Sequence, residues 1–281
     1  MRSLHNVLAP AKLNLFLHIT GRRDDGYHLL QSVFMLMDWC DTLHFDLRDD
    51  GVIAREDLNI ALPADDLVMR AAQSLQRASG TSLGAHIAIE KHIPAQAGMG
   101  GGSSNAATTL LALNRLWGLN WPLSKLMPLG LALGADVPFF LSGCNAWVEG
   151  IGEKINPIDL PAARFVVIKP NAGLETANIF RSPELQRATE TATMPIFAVN
   201  PYGFGRNDLQ PVAQALCPEI TEALQWLGSF GLSPRMTGSG SAVFAQLPDD
   251  VLIDSAPHNW QMRICSNMAV HPQAGWAASE S

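Results

Sequence analysis

Apolar and polar residues alternate near the start of the chain. The apolar positions there are Leu13, Leu15, Leu17 and Ile19. A period of two places these side chains on one face of a β-strand, so residues 13–20 are predicted to form a half-buried strand. Similar runs predict strands over 31–36 and 42–47, and the charged turn 22–26 follows the first strand. The opening of the chain is therefore predicted to be rich in β-structure.

Later segments show the helical period as well as the strand period. After Ser104, one helical face carries Ala106, Leu110, Leu113 and Trp117. Further helices are predicted over 67–78, 123–133 and 220–227. Further strands are predicted over 87–93, 145–149, 164–168, 242–246 and 261–265. Since helices and strands mix without strict alternation, the pattern predicts an α+β fold.

The length of the chain bears on its domain organisation. With 281 residues it exceeds the usual size of a single hydrophobic core, so two domains are possible. The proline-flanked stretch 157–161 separates two mixed segments, and we expect domains at residues 1–157 and 158–281. From Asn267 onward the chain has little apolar periodicity, and this tail is expected to fray.

Composition narrows the possible functions. Hydrophobic residues make up 47% of the chain and charged residues 16%, which is typical of a globular protein. The net charge of −7 argues against broad binding to nucleic acid or anionic membranes, but it allows a local basic pocket for phosphates. Neither the four separated cysteines nor the scattered histidines show metal-site spacing. We expect a cytoplasmic protein, monomeric or weakly dimeric, without dedicated metal ligands.

The most unusual segment is residues 94–104, which read PAQAGMGGGSS. Four glycines and two serines fall within its last seven residues, between a predicted strand and a predicted helix. Glycine lets the backbone adopt positive φ and lets N–H groups approach a ligand, and a helix N-terminus adds unpaired donors. These features predict an anion site, most simply for phosphate. A glycine-rich turn with a serine N-cap explains the composition equally well.

Two charged residues and a second small-residue loop are further candidates. Lys12 lies at the start of the first predicted strand, and in isolation it is interpreted as a solvated lysine. Asp136 lies in the nearly chargeless stretch 133–138, where a carboxylate needs a partner or its pKa rises. It either bonds backbone amides of the turn or acts as a catalytic carboxylate paired with a lysine. The loop 235–241 either approaches a bound nucleotide or forms a tight connection.

These segments, taken together and in order, resemble the GHMP kinase superfamily. Its three signature motifs are matched by residues 10–15, 98–104 and 237–240. The resemblance implies two α+β domains with a cleft between them. The N-terminal domain would be similar to ribosomal protein S5 domain 2, and the C-terminal domain would be ferredoxin-like. ATP would be the phosphoryl donor, with Mg²⁺ as its cofactor.

A closer resemblance links the chain to members of the superfamily that act in the non-mevalonate isoprenoid route. The stretches that carry it are 11–15, 23–28, 133–138 and 179–180. Such members phosphorylate a hydroxyl group of a small substrate that carries cytidine. Kinases of the same superfamily that act on homoserine or mevalonate are the nearest alternative, and a nucleotide-binding protein without activity is another.

The resemblance also implies roles for individual residues. Lys12 and Asp136 match the catalytic pair. ATP contacts are implied for Lys91, Pro94, Ala95, Gln96, Ala97, Gly98, Met99, Gly100, Gly101, Gly102, Ser103 and Ser104. Substrate contacts are implied for Asn14, Tyr27, His28, Thr176 and Phe180. Tyr27 and Phe180 would stack on the cytosine ring, and His28 would read its edge. Ordinary core packing of the two aromatic rings is the alternative.

The chain departs from the family pattern at two places. Asp66 stands where relatives often carry asparagine near the adenine. A carboxylate there either repels phosphates or accepts a hydrogen bond from the adenine amino group. Residues 95–97 replace a more glycine-rich run, which should stiffen the first half of the loop.

Overall fold

The computed structural model describes residues 1–257 and 260–279. Its strands are β1 (Ser3–Arg22), β2 (His28–Arg48), β3 (Ile53–Asp57), β4 (Gly84–Glu90), β5 (Ala146–Gly150), β6 (Lys154–Pro157), β7 (Arg164–Lys169), β8 (Arg235–Met236), β9 (Val243–Gln246) and β10 (Gln261–Ser266). Its helices are α1 (Leu67–Ser79), α2 (Gly101–Leu116), α3 (Leu123–Leu133), α4 (Val137–Ser142), α5 (Thr176–Arg181), α6 (Met194–Val199), α7 (Gln210–Leu216) and α8 (Pro218–Gly228).

The first sheet is built around β2. Its strand order is β3-β4-β2-β5-β6, and β1 pairs with β2. The pairing of β3 with β4 is parallel, and the other pairs are antiparallel. The second sheet has the antiparallel order β10-β7-β9-β8. Together with the helices, the two sheets confirm the predicted α+β class.

The sequence predicted two strands over 31–36 and 42–47, and this was wrong, because both belong to β2. Opposite β1, Met37 pairs with Ala11 but Cys40 pairs with the preceding Pro10. Residues 38 and 39 therefore form a bulge, which interrupts the alternation of side chains without ending the strand. A break in the period of two looks like a turn in the sequence.

Each face of the first sheet covers a different part of the core. Phe34, Leu36 and Phe45 of β2 lie in a cluster with the buried faces of α1, α2, α3 and α4. Met35 and Met37, on the opposite face, lie in a second cluster that includes residues of β7, β9 and β10. The alternation of β2 thus places this sheet between a helical layer and the second sheet.

Several other predicted elements are confirmed, with changed boundaries. The predicted helices correspond to α1, α2, α3 and α8, and α2 begins at Gly101, before the two serines. β4 ends at Glu90, so Ile93 lies outside the strand. The strands β3, β6 and β8 and the helices α4, α5, α6 and α7 were not predicted. All of these have at most seven residues, which is too short for a clear period.

The C-terminal tail packs against the first sheet and its helices, so the expectation that it frays is wrong for residues 267–279. The N–H group of Met268 donates to the carbonyl oxygen of Leu36 at 2.9 Å, and that of Ala278 donates to Trp121 at 3.2 Å. Trp276 packs against the same core as α2. This part of the tail contacts the N-terminal unit, although the predicted division assigns it to residues 158–281. The boundary near residue 157 stays a prediction.

Candidate active site

A cleft of about 1400 Å³ lies where β1, two glycine-rich loops and the N-terminus of α2 meet. The first glycine-rich loop is residues 94–104, and the second is residues 235–241. The turn 25–28 and α5 form another part of its wall. The wall includes every site residue inferred from the sequence except Ser104. Residues that are far apart in the chain are therefore brought into one space.

Backbone geometry at the first glycine-rich loop requires glycine. Gly98 has φ = 71° and Gly100 has φ = 70°, in the left-handed region that other residues rarely adopt. A Cβ atom on Gly98 would overlap the carbonyl oxygen of Thr237. A Cβ atom on Gly100 would lie 3.0 Å from the ring of Phe140. Both conformation and space therefore exclude a side chain at these two positions.

The N-terminus of α2 opens onto the cleft. The N–H group of Ser104 donates to the carbonyl oxygen of Gly100 at 2.9 Å, which begins the hydrogen-bond ladder of the helix. Gly101, Gly102 and Ser103 precede that bond and line the cleft. Their N–H groups form the end of the helix that carries unpaired donors and partial positive charge. This geometry is that of an anion site.

The two serines of the loop differ from each other. The N-cap position of α2 is Gly100, and no side chain caps the helix, so the serine N-cap proposed as an alternative is not observed. Ser103 lies on the cleft wall. Ser104 is fully buried, and its hydroxyl group has no hydrogen-bond partner within the described part of the chain. The first turn of α2 carries Ser104 into the interior and off the cleft wall, and its inferred ATP contact stays a prediction.

The second glycine-rich loop packs directly on the first. The N–H group of Ser241 donates to the carbonyl oxygen of Gln96 at 3.1 Å, and that of Ala242 donates to Ala97 at 3.3 Å. Residues 238–240 line the cleft. The loop therefore supports the first loop and also faces whatever the cleft binds.

Lys12 is buried within the sheet and does not behave as a solvated lysine. It lies on the face of β1 opposite Leu13, with 3% of its surface exposed. Its ammonium group lies 3.8 Å from the carboxylate of Asp136 and 4.8 Å from the centre of the Phe34 ring. Burial lowers the pKa of Lys12, and the charge of Asp136 opposes that change. The pair is therefore a buried cation beside a carboxylate that reaches the cleft.

Asn14 positions the ammonium group of Lys12. Its Oδ1 atom accepts a hydrogen bond from Lys12, and its Nδ2 atom donates to the Ser32 hydroxyl at 3.0 Å. The hydroxyl group of Thr237 accepts from the Asn14 backbone N–H at 2.9 Å. Asn14, inferred as a substrate contact, lines the cleft while both ends of its amide bind protein groups. Ser32 was not identified from the sequence.

Asp136 lies between α3 and α4, and its carboxylate makes no capping hydrogen bond to the helix that follows. The alternative in which it bonds the amides of its own turn is therefore not observed. Its side chain is 32% exposed, and it lines the cleft opposite Lys12. The carboxylate is thus accessible to a ligand and held beside a cation.

Tyr27, His28 and Phe180 line the part of the cleft wall formed by the turn 25–28 and α5. Tyr27 lies on the cleft wall, and 61% of its surface is exposed. The rings of Phe180 and His28 lie 5.1 Å apart with an interplanar angle of 35°. Thr176, at the start of α5, shares a hydrogen bond of 2.7 Å with Ser239. In this arrangement the Phe180 ring packs on His28, and Tyr27 is a largely exposed residue of the cleft wall.

Lys91 and Asp66 line the end of the cleft nearest α1. Lys91 forms an ion pair with Asp41, a fully buried carboxylate that the sequence did not single out. Asp66 is the N-cap of α1 and accepts from the N–H group of Met69 at 3.0 Å. Arg55 forms an ion pair of 2.6 Å with the same carboxylate. Arg55 also pairs with Asp57 at 2.7 Å, so this one cation is shared by two carboxylates and balances only part of their charge. Both interpretations of Asp66, repulsion of phosphate and a hydrogen bond from adenine, stay predictions.

Basic side chains outnumber acidic ones on the cleft wall by five to three. The basic residues are Lys12, Arg22, Lys91, Arg181 and Arg187, and the acidic ones are Asp25, Asp66 and Asp136. The three arginines were not named as site residues, because no motif marks them. A chain with a net charge of −7 thus contains a locally basic cleft, as a phosphate-bearing ligand requires.

Within residues 1–257 and 260–279, no three His, Cys, Asp or Glu side chains converge to hold a metal ion. Mg²⁺ in nucleotide sites commonly binds one or two carboxylates together with substrate phosphates. The cleft offers the Asp136 carboxylate and the Ser103 hydroxyl as oxygen donors. This donor set fits a metal ion that binds together with a nucleotide. None of the described helices is long and apolar enough to cross a bilayer.

Comparison with known proteins identifies close relatives. Two family models match the chain, "GHMP kinases N terminal domain" over residues 66–144 and "GHMP kinases C terminal" over residues 196–261. A 4-diphosphocytidyl-2-C-methyl-D-erythritol kinase from Albidiferax ferrireducens is 67% identical over 280 residues, covering 100% of this chain and 98% of that protein. A second, from Paracidovorax citrulli, is 64% identical and covers 100% of both chains.

A solved structure gives the same result. The crystal structure of a 4-(cytidine 5'-diphospho)-2C-methyl-D-erythritol kinase superimposes with a TM-score of 0.72 at 35% identity, over 85% of this chain and 88% of that one. The similarity extends across both halves of the chain, so it supports the two-unit fold inferred from the sequence.

Proposed function

Since the chain belongs to the GHMP kinase family and its close relatives are 4-diphosphocytidyl-2-C-methyl-D-erythritol kinases, we propose that it phosphorylates this same substrate. The γ-phosphoryl group of ATP is transferred to the 2-hydroxyl group, which gives the 2-phosphate and ADP. The reaction belongs to the methylerythritol phosphate route to isoprenoids. One observation carries the proposal: a single cleft joins an anion-binding helix N-terminus, the Lys12–Asp136 pair and a wall with aromatic rings.

ATP binds along the first glycine-rich loop in this proposal. The N–H groups of Gly101, Gly102 and Ser103 face its phosphates, and the positive end of α2 stabilises their charge. Lys91, held by its ion pair with Asp41, places its ammonium group beside Gly101 at the same end of the cleft. When bound with the phosphates, Mg²⁺ would supply positive charge that neutralises the charge developing during transfer. Ser103 and Asp136 are the residues that would hold it.

Asp136 orients the substrate hydroxyl group and accepts its proton in this proposal. Phosphoryl transfer has a loose transition state, so positioning and charge stabilisation contribute most of the catalysis. Lys12 lies 3.8 Å from Asp136 and places a positive charge beside the reacting oxygen. Orientation of the hydroxyl group is therefore the main contribution of the pair. Asn14 and Ser32 keep the ammonium group of Lys12 in place.

The cytidine end of the substrate binds near Tyr27, His28 and Phe180. An exposed tyrosine ring and a half-buried phenylalanine ring offer flat surfaces for a pyrimidine. Thr176 and its partner Ser239 supply hydroxyl groups between the base end and the phosphate loop. Four free cysteines support a cytoplasmic location.

An assay of Mg²⁺-dependent ADP release tests this function. The purified protein is incubated with ATP and either 4-diphosphocytidyl-2-C-methyl-D-erythritol, mevalonate, homoserine or galactose. We expect ADP release with the cytidine-bearing substrate alone. Release with one of the other alcohols would overturn the substrate and the roles of Tyr27, His28 and Phe180. ATP binding without ADP release from any mixture would overturn the assignment of kinase activity.

A further inference from the structure

No sequence motif marks Arg187, yet it links two parts of the cleft wall, the turn 25–28 and helix α5. Its guanidinium group donates to the backbone carbonyl oxygens of Leu185 at 3.0 Å, Phe180 at 3.3 Å and Ser182 at 2.6 Å. A fourth donor, the Nε–H group, points at the Nε2 atom of His28 at 3.1 Å. Because three carbonyl groups fix the plane of the guanidinium, the direction of the fourth hydrogen bond is fixed as well.

That fourth hydrogen bond determines where the proton of His28 lies. An arginine side chain has five N–H donors, no acceptor, and stays protonated. The Nε2 atom of His28 must therefore be a bare acceptor, and the ring carries its single proton on Nδ1. Burial lowers the pKa of His28, and the charges of Arg187 and Arg22 lower it further, which agrees with a neutral ring.

We propose that Arg187 is a specificity-determining positioning residue, which holds His28 in the Nδ1–H form so that the ring offers the substrate base one hydrogen-bond donor. This inference rests on the proposed function, because it requires the base to bind beside His28. At ring position N3, cytosine has an acceptor and uracil has an N–H donor. A fixed donor on His28 pairs with cytosine and opposes uracil. Arg187 acts through His28 and touches no reacting atom.

Direct binding of substrate phosphates by Arg187 would be the simpler role for a cleft arginine. Four of its five N–H groups already have acceptors in the protein, so a two-pronged grip on a phosphate would require breaking these bonds. Arg22 differs, because the one hydrogen bond found for its side chain in residues 1–257 and 260–279 joins Nε to Gly26 at 3.1 Å. Its terminal N–H groups remain available for an anion.

NMR of protein labelled with ¹⁵N in histidine tests the proton position without any substrate. Two-bond ¹⁵N–¹H spectra at pH 7.5 distinguish the two neutral forms, and His28→Gln identifies the signal. We expect the wild-type ring to be protonated at Nδ1. A ring protonated at Nε2 would contradict the proposal, and this outcome requires no Arg187 variant to fold. Arg187→Gln should release the ring towards the Nε2–H form, and Arg187→Lys should do so too, since an ammonium group cannot reproduce the planar fork.

Arg181→Gln is the matched control, because Arg181 lines the same cleft and carries the same charge. We expect this variant to keep the wild-type form of His28. An unchanged signal in folded Arg187→Gln, verified by its melting curve, would contradict the proposal. An equal shift in the Arg181→Gln control would also contradict it, because loss of charge alone would then explain the effect.

Kinetics then test the consequence for specificity. The ratio of kcat/KM for the cytidine substrate to that for its uridine counterpart is measured in each variant. We expect Arg187→Gln to lower this ratio by about tenfold and Arg181→Gln to leave it unchanged. An equal loss for both substrates would overturn the proposal in favour of phosphate binding. If the wild type phosphorylates neither substrate, the proposed function is wrong. The NMR experiment needs no substrate, so it still decides whether Arg187 fixes the proton position of His28.

Discussion

Lys12 shows how a charged residue is accommodated inside a sheet. Burial of an ammonium group is costly unless the charge has partners, and here Asn14, Asp136 and the face of Phe34 supply them. All three partners also line the cleft. Asp136, which stabilises the buried cation, is therefore also the carboxylate to which the proposed function gives the substrate proton.

Asp136→Asn tests the catalytic role at the scale of one residue. The amide keeps the shape of the side chain but cannot accept the proton of the substrate hydroxyl group. We expect kcat to fall by at least ~100-fold, with a smaller change in KM. Asp249→Asn is the matched control, because that carboxylate is 94% exposed and pairs with Arg164 away from the cleft. Near-normal turnover of Asp136→Asn would remove Asp136 from the catalytic role.

The sequence could identify some of these residues but not their partners. Family motifs singled out Lys12 and Asp136, whereas the local sequence around Lys12 indicated a solvated lysine and did not predict its burial. Arg187, Ser32 and Asp41 follow no period and no motif, because each is defined by a contact across the fold. The motif groups Ser104 with Ser103, but Ser103 faces the cleft and Ser104 lies in the interior, and a motif cannot tell the two apart.

At the scale of elements, the two glycine-rich loops form one structure. The first loop contacts Thr237 so closely that no Cβ atom fits on Gly98, and backbone hydrogen bonds join residues 96–97 to 241–242.

Strand β2 shows why the boundaries of one element could not be predicted from the sequence. Its bulge at residues 38–39 hid the continuity of a strand of 21 residues, since bulges break the pattern that sequence analysis depends on.

Gly98→Ala tests the packing of the two loops. The new Cβ atom overlaps the Thr237 carbonyl oxygen, and φ = 71° strains any non-glycine residue. We expect KM for ATP to rise and the free energy of unfolding to fall by about 1–3 kcal/mol. Gly118→Ala is the control, because Gly118 has φ = 68° with nothing within 4 Å of a Cβ atom. Equal effects of the two substitutions on KM would show that strain, and not contact between the loops, explains the result.

At the scale of the whole molecule, the C-terminal tail packs against the first sheet and its helices. The tail places His271 in the interior, where its Nδ1 atom accepts from the N–H group of Gln273 at 3.2 Å. The His271 ring also lies 6.4 Å from that of Phe140, and a Cβ atom on Gly100 of the first glycine-rich loop would lie 3.0 Å from the same Phe140 ring. The apolar residues of the tail are too irregularly spaced to show a period, so the sequence could not reveal this packing.

The buried histidine predicts a dependence of stability on pH. Burial lowers the pKa of His271 to about 4, below its ordinary value of 6.5. Above pH 6.5 both the folded and the unfolded states are neutral at this residue, so it adds no pH dependence there. Between pH 6.5 and 4 the unfolded state gains a proton that the folded state does not take up, so the free energy of unfolding falls by roughly 3 kcal/mol.

Urea unfolding of the wild type and of His271→Gln at pH 7, 6 and 5 measures this contribution. Because the variant cannot gain the proton, its stability should fall less steeply than that of the wild type as the pH decreases. Parallel curves for the two proteins would show that His271 is not buried in the neutral form.

The most direct test of the account is ³¹P NMR of the complete reaction mixture. The protein is incubated with ATP, Mg²⁺ and 4-diphosphocytidyl-2-C-methyl-D-erythritol. We expect the γ-phosphorus signal of ATP to be replaced by one phosphomonoester signal on the substrate, while the substrate diphosphate stays intact. Inorganic phosphate in place of the monoester, or no change at all, would contradict the central claim that this cleft joins ATP to the 2-hydroxyl group.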